Sequence, residues 1–185
     1  MNFIRFNSHY EVIHKKGFVK MESLDKKVLH LIEEDPRLTP ENLATMLDKE
    51  KGEIKDIIKK YEKNGVIVGY RTLIDWEDTD VESVTALIEL KVTPSRDKGY
   101  DKVAEKIYNY PEVKDMYLMS GGFDFTVIIE GKSMKEVALF VAEKLAPSDG
   151  VISTATHFVL RKYKTEGVIH GAKATEDKRE RGLLI

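Results

Sequence analysis

There is no cysteine among the 185 residues, which excludes disulfides, thiolate metal centres and a cysteine nucleophile together. Tryptophan occurs once and proline five times. No apolar run approaches the roughly 20 residues that a membrane-spanning helix needs. Nor does charge of one sign dominate. The 30 lysines and arginines stand against 32 aspartates and glutamates, a formal net charge of −2, so the chain as a whole exerts no pull on nucleic acid or acidic lipid. The five histidines, His9, His14, His30, His157 and His170, have no metal-ligand spacing and read as structural or surface residues. The expectation is a cytoplasmic protein with no membrane span, no metal, no cofactor and no catalytic constellation. What is present is 42% hydrophobic residues, enough for the cores of one or two small domains.

The first of those cores shows a helical period. Leu24, Val28, Leu31 and Ile32 fall at i, i+4, i+7 and i+8, the stripe of a helix that stops near Asp35-Pro36. Thr39 then stands before Pro40 as an N-cap before a proline at the first helical position, and Leu43, Met46 and Leu47 supply the next buried face. A turn at Asp48-Lys49-Glu50 leads to a third helix with Ile54, Ile57, Ile58 and Tyr61 on one side and Asn64-Gly65 as its stop. Val66 to Ile74 alternates loosely around Gly69 and reads as the strand of a wing. Helices this short must pack on one another, leaving the outer side of the third exposed. That is the layout of a winged helix-turn-helix, whose exposed helix enters the major groove.

From residue 82 the period changes. Val84, Ala86, Ile88, Leu90 and Val92 alternate with more polar neighbours, a strand with one buried face that ends before Pro94. Tyr100, Val103, Ala104, Ile107 and Tyr108 form a helical stripe. Strands near 113–119 and 123–130 follow, joined by Ser120-Gly121-Gly122. Ser133 and Glu136 have the spacing of a capping box for a helix that buries Val137, Phe140, Val141 and Leu145. Ser148-Asp149-Gly150 turns into a last strand at 151–162. This βαββαβ order predicts a ferredoxin-like antiparallel sheet with both helices on one face, an α+β domain. Its uncovered face is expected to carry Leu87, Met116 or Tyr117, Ile128 and Phe158, suited to a second copy of the chain. The Gly121-Gly122 loop is the best candidate for ligand chemistry. An amino acid needs backbone donors for its carboxylate and an acceptor for its ammonium; a glycine pair permits close approach and Asp124 supplies the acceptor. Against this, Gly-Gly between two strands is also an ordinary hairpin signal.

Leu24-Asp25, Val28-Leu29, Asp35-Pro36-Arg37, Glu41-Asn42-Leu43-Ala44 and Gly65-Val66-Ile67-Val68-Gly69-Tyr70 stand in the order and spacing of the Lrp/AsnC transcription regulators, which the chain resembles over about residues 22 to 164. The resemblance implies a sequence-specific DNA-binding regulator of double-stranded DNA that responds to a small effector, an amino acid. It further implies dimers joined through the sheet and assembled into tetramers or octamers. It places the effector between dimers at Ser120, Gly121, Gly122 and Asp124, with Thr154 and Thr156 matching a Thr-x-Thr pair on the last strand; alternating threonine is also ordinary strand composition. The departures lie on the DNA side, where Asp48, Glu50, Gly52-Glu53 and Ile57 replace the family's glycine turn, hydroxyls and arginine. Residues 48–63 hold six basic and five acidic side chains, and residues 21–75 hold ten and twelve, a poor balance for an autonomous DNA-binding domain. Lys49, Lys51, Lys55, Lys59 and Arg71 are the expected phosphate contacts, although lysines at four-residue intervals also describe a solvated helix face. Two other readings stay open. The same layout resembles the sirohaem decarboxylase subunits, which need pocket histidines where this second domain has only His157. The chain also fits an effector-sensing oligomer that has lost operator recognition.

The expected organisation is a winged helix-turn-helix at 21–75, a linker at 76–81, an effector and dimerisation domain at 82–164 and a charged mobile tail at 165–185. Residues 1–20 lack a signal-peptide pattern and read as an extension, either a basic arm or an artefact of start-site choice with Met21 as the natural start.

Overall fold

A computed structural model describes residues 21–171 apart from Asp97; the extension at 1–20 and the end of the expected tail lie outside the described residues. The chain forms two compact units, one up to Leu73 and one from Ile74.

In the first unit α1 (Ser23–Glu34), α2 (Pro40–Leu47) and α3 (Lys51–Lys63) pack around Val28, Ile32, Leu43, Ala44, Ile54, Ile57 and Tyr61. Thr39 caps α2 in a full reciprocal box. Its Oγ1 accepts from the Asn42 N–H at 3.2 Å, and its own N–H donates to Asn42 Oδ1 at 3.0 Å, satisfying two donors that a helix start leaves open. Met46 is not part of the buried face: it is exposed and Ala44 takes the inward place. Asp48 ends α2 in the left-handed conformation (φ 51, ψ 55), which a short polar side chain tolerates best after glycine. Gly65 (φ 65) does the same after α3.

The expected wing strand at 66–74 does not form; the backbone there is irregular throughout. The N–H groups of Val66 and Ile67 both turn back to the Tyr61 carbonyl, and the Tyr70 hydroxyl donates to Glu62 Oε1 at 3.0 Å. The start of the segment is thus tied to the end of α3, and no strand among the described residues pairs with it.

The second unit runs from a 3₁₀ turn at Trp76–Asp78 through β1 (Val84–Val92), α4 (Asp101–Tyr108), β2 (Val113–Leu118), β3 (Phe125–Gly131), α5 (Met134–Phe140), a π-helical turn (Val141–Leu145) and β4 (Val151–Phe158). The sheet is antiparallel in the order β2-β3-β1-β4, the ferredoxin-like arrangement. Ala86, Ile88, Leu90, Phe125, Val127 and Ile129 are buried with Val103, Ile107, Val137 and Phe140 of the two helices, because alternate residues of a strand share a face. Only half of the anticipated capping box at Ser133 forms. Ser133 Oγ accepts from the Glu136 N–H, but Glu136 Oε2 accepts from Lys132 N, one residue further back.

Register corrects one expectation about the sheet, the place of Phe158, and decides between Met116 and Tyr117 in favour of Tyr117. Phe158 pairs with Ala86 and Met116 with Val127, so both join the helix-covered core and not the open face. The open face carries Leu87 and Ile128, which pair directly, and Tyr117, together with the charged Asp115, Glu89, Glu130, Lys91 and His157. The last strand is also shorter than expected. A separate hairpin of β5 (Lys164–Thr165) and β6 (Val168–Ile169) follows where a tail was anticipated. His170 braces it, with Nδ1 2.9 Å from Asp75 Oδ2 and Nε2 2.8 Å from Thr165 Oγ1.

Candidate functional site

Two surfaces hold the residues singled out from sequence. The first is the outer side of α3. With Ile54, Ile57 and Tyr61 turned inward, Gly52, Asp56, Lys59 and Lys63 form the outward ridge, and Lys51, Lys55, Lys59 and Lys63 step round towards it by roughly 40° each. Lys49, Lys51, Lys55, Lys59 and Arg71 are all exposed. Lys51 Nζ is ion-paired with Glu41 at the start of α2, which holds the Glu41 carboxyl below its usual range. Lys49, Lys55 and Lys59 have no ion-pair partner among the described residues. Asp56 stands on the same ridge, so the surface alternates in sign, and a phosphate approaching it meets a carboxylate between lysines.

The second surface is the β2–β3 hairpin. Ser120, Gly121 and Gly122 are exposed, and a Cβ built on either glycine meets nothing within 4 Å. The N–H groups of residues 120–123 donate to no backbone acceptor among the described residues. Asp124 closes the loop and is half-buried. Its N–H donates to the Leu90 carbonyl at 2.8 Å, Oδ2 accepts from the Val92 N–H at 2.8 Å, and Oδ1 accepts from the Tyr100 hydroxyl at 3.2 Å. Burial pushes the Tyr100 phenol up, and the Asp124 charge adds to this, so the hydroxyl stays protonated and donates. The Tyr100 ring is packed edge-on against Phe125, with centroids 5.8 Å apart.

Thr154 and Thr156 lie on β4, opposite Leu90 and Ile88. Thr154 pairs with Leu90, whose carbonyl accepts from the Asp124 N–H on its other side, so the two backbones stand roughly 10 Å apart at two strand spacings, while Thr156 lies a further two residues along. The hairpin residues are brought together, and Thr154 and Thr156 are set across β1 from them, Thr154 nearer and Thr156 two residues further along β4. Sequence reasoning missed Val92 and Tyr100. The spacing of Tyr100 puts it on the helical stripe, and nothing in that spacing signals that its hydroxyl reaches Asp124. Among the described residues no group of three or more His, Cys, Asp or Glu side chains is placed to hold a metal, and no helix is long and apolar enough to cross a membrane.

The model for a winged helix-turn-helix DNA-binding domain matches residues 21–68, and that for the Lrp/AsnC ligand binding domain matches residues 85–169. The HTH-type transcriptional regulator YugG of Bacillus subtilis is 44% identical over 162 residues, covering 87% of this chain and 97% of that protein. The chain belongs to the Lrp/AsnC family of transcriptional regulators. Another relative, an HTH-type transcriptional regulator of Pyrococcus furiosus, is 31% identical over 148 residues, 80% of this chain and 97% of its own length. Among solved structures, E. coli AsnC has a TM-score of 0.62 at 19% identity over 80% of this chain and 97% of its own. The Neisseria meningitidis regulator in complex with L-Met has a TM-score of 0.64 at 23% identity, over 79% of this chain and 94% of its own. These two show that the Lrp/AsnC fold is shared. The helix-turn-helix unit followed by an antiparallel α+β domain is the architecture that the residue patterns predicted.

Proposed function

We propose that this Lrp/AsnC regulator is a cytoplasmic, non-enzymatic switch that binds operator DNA through α3 and an amino acid through the β2–β3 hairpin. Lys49, Lys51, Lys55, Lys59 and Arg71 contact phosphates, with Lys51 drawing on a pool shared with Glu41. The observation that carries the effector half is the open run at 120–123, whose N–H groups are unengaged beside two glycines with empty space above them. Such a run suits a carboxylate. Asp124 supplies negative charge beside it, and Thr154 lines the far side across β1. The L-Met carried by the Neisseria relative supports an amino acid as the ligand class.

Pairs of chains join through the open sheet face around Leu87 and Ile128, and pairs assemble into tetramers or octamers. A weakly basic reading helix then gains affinity from several copies acting together. A thermal-shift screen of the twenty amino acids against the full chain tests the effector reading. At least one should raise the melting temperature in a concentration-dependent way. Twenty flat responses would remove the amino acid from the proposal.

A further inference from the structure

Neither surface uses the buried acid of the first unit. Asp25 sits in the first turn of α1 at 4% exposure. One oxygen, Oδ2, accepts both from the Tyr61 hydroxyl at 2.6 Å and from Lys60 Nζ at 2.9 Å. Tyr61 is wholly buried, while the Lys60 stem reaches in from the surface. Both donors stand on α3.

A carboxylate taken out of water is costly unless its partners are in place. The apolar packing of the cluster that holds Val28, Ile54 and Ile57 is non-directional and tolerates small slides. Hydrogen bonds do not: advancing α3 by one residue turns it by about 100° and lifts it by about 1.5 Å, which would strand Asp25.

We propose that Asp25 is a positioning residue for DNA reading: with Tyr61 it fixes the rotation and axial seat of α3, and it withholds Lys60 from the phosphates. This rests on α3 being the helix that meets DNA. The Lys60 ammonium is occupied within the protein, so it contributes nothing to counterion release, whereas Lys55 and Lys59 remain available.

The test uses the full chain and a duplex carrying the DNA upstream of its own gene. Affinity is measured across a salt series at a temperature where circular dichroism shows each variant folded. Tyr61→Phe keeps the ring and removes the hydroxyl; it should weaken binding about tenfold with the salt slope unchanged. Lys60→Met keeps the stem and should also leave the slope unchanged, while Lys55→Ala should flatten it by about one unit. Binding by Tyr61→Phe within twofold of wild type overturns the proposal, as does a flattened slope for Lys60→Met. Hydrogen exchange without DNA is the second measurement, in which the amides from Ile54 to Tyr61 should exchange faster in Tyr61→Phe while those of the sheet do not change. If wild type binds no duplex at any salt, the assignment of α3 to DNA falls. Exchange then decides the Asp25 clamp alone, and wild-type rates in α3 would overturn it.

Discussion

Asp124 holds two neighbours with one carboxylate, and this decides what its loss should do. Removing the side chain orphans the buried Val92 N–H and leaves the Tyr100 hydroxyl without its acceptor, a cost of about 1–3 kcal/mol. Asp124→Ala should therefore lower the melting temperature with and without amino acid, while Asp124→Asn, which keeps an acceptor oxygen, should recover much of the loss. Calorimetry of the three proteins checks this, and equal melting of Asp124→Ala and wild type would mean that the two bonds carry no stability. Asp25 makes a second residue-scale prediction, for pH. The Tyr61 hydrogen bond holds its carboxyl below the ordinary value against the opposing pull of burial, with Lys60 adding to the lowering. A depressed folded-state value contributes stability that is fully present above the unfolded value of about 3.9 and is lost as pH falls through the folded one. Acid unfolding of the first unit should set in below about pH 4, and Asp25→Asn should flatten that limb. The hairpin was visible in the sequence because glycine pairs and a following acid are local signals. The bonds from Asp124 to Val92 and Tyr100, and from Asp25 to Tyr61, span 24 to 36 residues, and no local pattern encodes them.

At the scale of the element, α3 shows how sequence pattern and chemistry part company. Its inward stripe of Ile54, Ile57 and Tyr61 was legible because core packing obeys the 3.6-residue period. Its outward side was not, since ion pairing depends on what lies beyond the helix. Lys51 is engaged by Glu41 of α2, whereas Lys55 and Lys59 are paired with nothing among the described residues. Lys55→Ala and Lys59→Ala should each flatten the salt dependence of DNA binding by about one unit, and Lys51→Ala by less. An equal effect at all three would mean that the Glu41 pair opens freely on DNA. The strands divide in the same way. Alternation located β1 and β3, while the face of Phe158 depended on a cross-strand register that alternation within one strand does not specify. The wing strand failed for a related reason: β-propensity at 66–74 needs a partner edge, and the two N–H groups that follow the Gly65 cap return to Tyr61.

For the whole molecule the governing quantities are a net charge of −2 and a sheet face of the second unit that neither α4 nor α5 covers. A chain with no global attraction to DNA gains little from binding as a single copy, and joining copies raises the effective concentration of every further α3 once the first has docked. The open face has the anatomy that such joining requires. Leu87 and Ile128 face each other at its centre and Tyr117 lies beside them, while Asp115, Glu89, Glu130, Lys91 and His157 stand on the same face. An apolar pair flanked by charges of both signs can meet its own copy, since two-fold symmetry places the same patch on both sides and sets acid against base. Ile128→Lys puts a charge at that centre, where its own symmetry mate would repel it and where neither ammonium regains its water. The folded chain should tolerate the change, since Ile128 points away from the core of Ile88, Val127 and Val137. Sedimentation of the variant should then show single chains with an unaltered circular dichroism spectrum. Its DNA affinity should fall by more than tenfold although no side chain of α3 has changed. An assembly that stays intact in Ile128→Lys would place the contact between copies elsewhere. Loss of assembly with undiminished DNA affinity would instead show that one α3 suffices, and that the acid-studded helix binds more strongly than its charge implies.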